Sequence, residues 1–290
     1  MHDYDHQLPQ DDTRDVAIDA AIDRLREFFD ESPTRLFYSI QIEPTFEREF
    51  FHWITGKALL EPANVKRIRR VPTVVQDKTI NFYAHPKHRY WKRELKEMDG
   101  LLERIFDADF THAIDRHGEL MFDAALGRHG FRVEARNSNT WNGVSWPGTN
   151  YNLDRIITRD GCAYGVEIKN TQNYISRMEL LIKTLMCRHL NLTPLFIMRF
   201  APKSYIHEVN KAGGLVLLFE SQLYPMGHTR LVEEVRTKLG FKIHSPNDTM
   251  EGHMHQPPQL AEPSAGPIAH SYSGCTAERL CYHGLKSPPL

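Results

Sequence analysis

The pattern that most limits how this chain folds is a pair of apolar β-type runs, residues 152–158 (NLDRIIT) and 163–169 (AYGVEIK), joined through a turn at Arg159-Asp160-Gly161. So short a connection joins antiparallel neighbours, because parallel strands need a crossover of a dozen residues or more. Side chains alternate across a strand, so Glu167 and Lys169 project from one face. Pairing about Asp160-Gly161 brings Asp154 opposite residues 167–168, within one residue of register. Two carboxylates and one ammonium are therefore expected to converge at one end of a sheet. Charged groups at the end of an apolar strand need a reason. A structural cluster at a sheet edge is one such reason, and a reactive site is the other.

The surrounding pattern supplies more strands and two helices. Residues 112–130 (HAIDRHGELMFDAALGRHG) are helical by spacing, with Leu120, Phe122, Ala124, Ala125 and Leu126 apolar and Gly127 and Gly130 closing the helix. FRVEA follows as a strand, and residues 137–150 form a long polar loop. Residues 174–189 are helical, with Ile175, Met178, Leu181, Ile182, Leu185 and Met186 at helical spacing. PLFIMRF and GLVLLFE are two further strands.

This order, α-β-β-β-α-β-β over roughly 112–220, resembles the PD-(D/E)XK, or restriction-endonuclease-like, nuclease superfamily. The matching positions are Asp154 on the second strand and Glu167-Ile168-Lys169 on the third. Leu153, not proline, precedes Asp154; the family's namesake proline is often absent from its members. The resemblance implies an α/β fold with an αβββαβ core that hydrolyses phosphodiester bonds. Asp154 and Glu167 would hold Mg²⁺ (or Mn²⁺), and Lys169 would orient or help deprotonate the attacking water and stabilise developing charge. Glu119 matches the supporting glutamate of the first core helix, a further metal ligand. Gln172 or Asn173 matches a polar residue found after the third strand in some members.

The N-terminal part has a different layout. A helix is expected from near Thr13, with Val16, Ala17, Ala20, Ala21, Leu25 and Phe28 at helical spacing. A strand over 36–42, helices over 45–50 and 53–60, and a hairpin over 65–84 come next. That sequence of elements resembles a winged helix-turn-helix α+β domain. Lys57 would lie on its recognition helix and Arg67, Arg69 and Arg70 on its wing, meeting nucleic acid. Between Lys66 and Arg104 there are eleven Lys/Arg against five Asp/Glu, with Phe82, Tyr83, Tyr90 and Trp91 interleaved. The whole chain carries a formal net charge of only −1, so any phosphate-binding face must be local. A solvated helix and loop surface is the plainer explanation of the same charges.

The expected division is a disordered 1–12, a winged-helix-like domain 13–87, a connecting helix 88–111, a nuclease domain 112–244 and a flexible tail 245–290. The function expected is a metal-dependent DNA endonuclease. The alternatives are a non-catalytic DNA-binding protein with a degenerate core and an RNA-directed nuclease. A homodimer is compatible with cutting both strands of a duplex.

Other patterns carry less. Glu94-Leu95-Lys96 repeats the acid-x-Lys triplet on a charged helix, where solvated surface is expected. The histidine pairs (His85 and His88, His112 and His117, His253 and His255) match no closed zinc site. Trp141 and Trp146 are candidates either for base stacking or for anchoring their loop. Cys162 and Cys187 fall in apolar patterns expected to be reduced core thiols. MHDYDHQLPQDD is polar and acidic, unlike a signal peptide, and no run approaches a membrane span, so a cytoplasmic location is expected.

Overall fold

The computed structural model describes residues 16–61 and 67–245. The expected disordered start, most of the tail and the first residues of the hairpin's basic strand lie outside them. The chain is a mixed α/β protein and divides into two compact units. One runs to Asp107 and includes Glu234–Phe241; the other holds Ala108–Glu233 and the residues from Lys242 on. No helix among the described residues is long and apolar enough to cross a membrane.

In the first unit, α1 (Val16–Glu31) packs Ala21, Ile22, Leu25 and Phe29 against Phe37, Ile42, Phe46 and Leu59. Strand β1 is short, Leu36–Tyr38, and helix α2 begins at once as Ser39–Phe46. The expected strand over 36–42 therefore breaks after three residues. The cause is local: the Gln41 side chain turns back to accept the Tyr38 backbone N–H at 2.7 Å, satisfying a free donor at the start of the helix. Helix α3 (His52–Leu60) follows, then the antiparallel hairpin β2 (Arg69–Val75) and β3 (Lys78–Ala84). Gln76 and Asp77 both have positive φ, 46° and 63°, as a two-residue hairpin turn of the right twist requires. β1 pairs with β3, giving the order β1-β3-β2. Helix α4 (Trp91–Ile105) follows β3 in this unit.

The next helix, α5, spans Ala108–Arg128. It starts four residues before the expected position, and the connecting helix accordingly ends at Ile105 instead of reaching residue 111. The second unit is built on a five-stranded sheet from β4 (Arg132–Ser138), β7 (Leu153–Arg159), β8 (Cys162–Lys169), β9 (Thr193–Met198) and β10 (Leu215–Leu218). Its order is β10-β9-β8-β7-β4, with β4, β7 and β8 antiparallel and β8, β9 and β10 parallel. α5 covers one face, where Phe122 packs with Ile157, Tyr164, Val166 and Ile168. Helices α6 (Arg177–His189) and α7 (Lys203–Lys211) cover the other. The sequence pattern had no helix over 203–211; the parallel β9–β10 pair requires that crossover. The polar loop before β7 contains a small hairpin of β5 (Thr140–Trp141) and β6 (Val144–Ser145).

Candidate active site

The site grows out of the β7–β8 hairpin. Asp160 and Gly161 have φ of 51° and 76°, so a two-residue turn fixes the register at Arg159↔Cys162 and Arg155↔Val166. One step further, Asp154 stands opposite Glu167. Asp154 Oδ2 accepts the Ile168 backbone N–H at 2.7 Å. Glu167 and Lys169 point together toward α6, and their side chains form an ion pair at 3.0 Å. The three residues singled out by pattern therefore do meet.

Two helices come unusually close to β8 here. A Cβ on Gly165 would lie 2.5 Å from Cys187 Sγ of α6, and one on Gly118 of α5 would lie 2.6 Å from the Asn170 side chain. Gly165 lets α6 bring a second lysine, Lys183, onto Glu167. Its Nζ is 2.6 Å from Glu167 Oε2 and also donates to the Asn152 carbonyl. Lys183 is 4% exposed and Glu167 is 2% exposed. Burial and the neighbouring Asp154 push the Glu167 carboxyl up to about 7, against the pull of both ammonium groups. Burial raises Asp154 too, with the Ile168 N–H and the lysines opposing. Lys169 is 2.8 Å from Glu179. Burial alone would lower Lys169, but its two carboxylate partners hold it above its ordinary value.

α5 contributes a second acidic tier. Glu119 Oε2 accepts from Arg155 at 2.7 Å, and Asp123 takes the same guanidinium at 2.9 Å. Arg155 is buried and also donates to the Asp154 carbonyl at 2.6 Å, so one side chain ties Glu119 to the strand that carries Asp154. Asp115, one helical turn before Glu119, is raised by burial and by Glu119 and lowered by Lys169. Asn170 fixes the end of β8: its amide donates to the Ile114 and Leu223 carbonyls and its oxygen accepts the Leu223 N–H. Gln172 points to Gln222, with its amide 2.9 Å from the Gln222 oxygen, and Asn173 is exposed.

Among the described residues no group of three His, Cys, Asp or Glu side chains is pre-assembled as a metal cluster. The donor chemistry still suits a hard divalent cation. Six carboxylates (Asp115, Glu119, Asp123, Asp154, Glu167, Glu179) face four cations (Arg136, Arg155, Lys169, Lys183), a formal −2 when all are ionised. Among the described residues Asp154 and Glu119 each keep one oxygen without a hydrogen bond, whereas both Glu167 oxygens are held by lysines.

Lys183, Asp115, Glu179 and Arg155 are absent from the sequence-based set. Lys183 is not one of the apolar positions that mark the helix in the sequence. The buried stripe of α6 is Leu180, Lys183, Met186 and Cys187; Met178, Leu181 and Leu185 face outward. Asp115 is detectable as an i, i+4 partner of Glu119.

The remaining expectations divide. Trp141 and Trp146 pack against Leu153, Ile156 and Met186, and the Trp146 indole donates to Thr149 Oγ1, so both anchor their loop. Glu94 is no solvated surface acid: it accepts the Leu36 N–H at 3.1 Å and pairs with buried His88 at 2.7 Å. In the first unit, Arg69 donates to the carbonyls of Pro86 and His88 and lies over Trp91. Arg67 and Arg70 are exposed, and Lys57 lies over the exposed ring of Trp53 on α3. Cys187 is a buried free thiol, pushed up to about 12 by burial, and Cys162 is buried at the start of β8.

Comparison with protein-family models, curated proteins and solved structures returned no match for this chain.

Proposed function

We propose that the chain is a metal-dependent nuclease of the restriction-endonuclease-like type, acting on DNA, with Asp154, Glu167 and Lys169 at its centre and a winged-helix-like module presenting Lys57, Arg67 and Arg70 to the nucleic acid. The observation that supports this best is the register that sets Asp154 opposite Glu167, beside a lysine two residues on. Mg²⁺ held by Asp154 and Glu119, with Glu167 adjoining, would supply Lewis-acid stabilisation of a scissile phosphate. Lys169, flanked by carboxylates at 3.0 and 2.8 Å, stays an ammonium. Its role is then to donate to a phosphate oxygen or to the attacking water and to stabilise developing negative charge, not to accept a proton. Arg155 orients Glu119 and the Asp154 backbone, and Glu179 and Glu167 aim Lys169.

A second reading, a nucleic-acid-binding protein with an inert core, is favoured by one observation: both oxygens of Glu167 already lie on lysines. The two separate in one experiment. Plasmid, linear and branched DNA, and RNA alongside, are incubated with Mg²⁺ and wild type, Asp154→Ala or Lys169→Ala. The nuclease reading expects wild-type cleavage and at least a ~100-fold loss in each variant. Equal activity in all three sinks it, and salt-sensitive binding without turnover supports the inert core.

A further inference from the structure

Resting on that nuclease reading, we infer that Tyr151 is a nucleobase-stacking residue at the rim of the site. Tyr151 is the only exposed aromatic among the described residues of the second unit, at 41% of its surface. It immediately precedes Asn152, whose carbonyl receives the buried Lys183 ammonium, and its ring centroid lies 5.6 Å from the same Nζ. Lys183 in turn sits on Glu167. One ammonium thus fixes the backbone beside Tyr151, one side of its ring, and the acid at the centre of the site. The ring is held where it can offer its other side to a planar partner, with little freedom left to lose on binding.

The tryptophans of the same loop cannot do this, since both pack inward. The Tyr151 hydroxyl has no hydrogen-bond partner among the described residues, so nothing in the fold needs the phenol as such. Lys183 lies 2.6 Å from Glu167 and 5.6 Å from the ring centre, so a nucleotide with its phosphate on Lys169 would carry a base past Tyr151. Every base presents a π-face, so the stacking is tolerant of sequence and acts on substrate grip.

The test uses the full chain and a set of otherwise identical oligonucleotides. Each carries a single abasic site or a single 2-aminopurine, stepped along the strand near the cleavage position. Tyr151→Leu is expected to raise KM about 10-fold, within the range for one stacked base, with kcat within about twofold. Tyr151→Trp is expected to behave as wild type. One abasic position should raise the wild-type KM as much as Tyr151→Leu does and cause no further rise in that variant. 2-Aminopurine at that position should be quenched by wild type and not by Tyr151→Leu. If wild type cuts and Tyr151→Leu cuts with unchanged KM, or the abasic and leucine effects simply multiply, stacking is wrong and the nuclease reading stands. If wild type neither binds nor cuts any of the oligonucleotides, both fall together.

Discussion

Lys183 Nζ lies 2.6 Å from Glu167 Oε2, and neither side chain has more than 5% of its surface exposed. A buried pair of this kind contributes little when intact compared with what is lost when one partner goes. Lys183→Met is expected to lower stability by roughly 3–5 kcal/mol, because Glu167 is left underpaired in a low-dielectric site. Lys183→Met combined with Glu167→Gln should recover most of that loss. Urea unfolding of the single and double variants measures it, and equal midpoints for the two would show that packing, not the charge, is responsible.

Glu43 on α2 is held protonated by burial, its carboxyl pushed up to about 7 from an ordinary 4.5. Between those values the folded chain binds more protons at this position than the unfolded chain does. Stability therefore falls as pH rises from 4.5 to about 7 and levels off above, by up to about 3 kcal/mol from this group. Glu167 acts in the same direction, so the wild-type slope contains both. Glu43→Gln should remove its share: unfolding midpoints at pH 5 and pH 8 should move closer together in the variant. An unchanged gap would mean that Glu43 ionises normally in the fold.

Gly118 faces Asn170 across a gap that has no room for a methyl group. Alanine is the better helix former by about 1 kcal/mol, so local propensity and packing have opposite signs here. Packing should win, because the neighbours are the Cβ and carboxamide of a side chain held by three hydrogen bonds. Gly118→Ala is expected to cost about 1–3 kcal/mol and to lower activity by moving the end of β8. A higher melting temperature would refute this.

The basic residues of the hairpin should separate by role. Arg67 and Arg70 are exposed, whereas Arg69 is committed to two loop carbonyls. If this face binds nucleic acid, changing Arg67 and Arg70 together to Ala should flatten the salt dependence of binding, by about 0.9 in the log–log slope per phosphate lost. Arg69→Ala should instead lower thermal stability and leave that slope nearly unchanged. Fluorescence anisotropy over a salt series, beside melting curves, distinguishes the two.

How much could be foreseen depended on how local each cause was. The β7–β8 pairing was legible because a two-residue turn and alternating side chains leave one register, and that alone brings Asp154 to Glu167. The hairpin at Gln76-Asp77 was legible for the same reason. Lys183 was not, because α6 carries apolar residues on two sides. Which side faces the sheet is decided by Gly165 and Cys187 fitting together, a contact between distant positions. The break after Tyr38 was missed because one side-chain amide, Gln41, outweighs the β-propensity of the residues around it. Arg155 was not singled out, because the carboxylates that hold it, Glu119 and Asp123, come from a helix more than thirty residues earlier in the chain. The Lys183 and Arg155 misses are cases of tertiary structure overriding local preference, and the Tyr38 break is a local side-chain bond overriding it.

The tight turn at Asp160-Gly161 has a consequence for how the gene can vary. One extra codon there would slide β7 past β8 by half a pleat repeat, turning Asp154 to the sheet's other face while Glu167 stayed in place. The β5–β6 turn at Asn142-Gly143 has the same left-handed geometry, with φ of 48° and 78°, yet it joins only two-residue strands outside the five-stranded sheet. In-frame insertions should therefore be tolerated at 142–143 and purged at 160–161. Two turns of the same shape would then evolve under opposite constraints, because only one of them sets the distance between two acids.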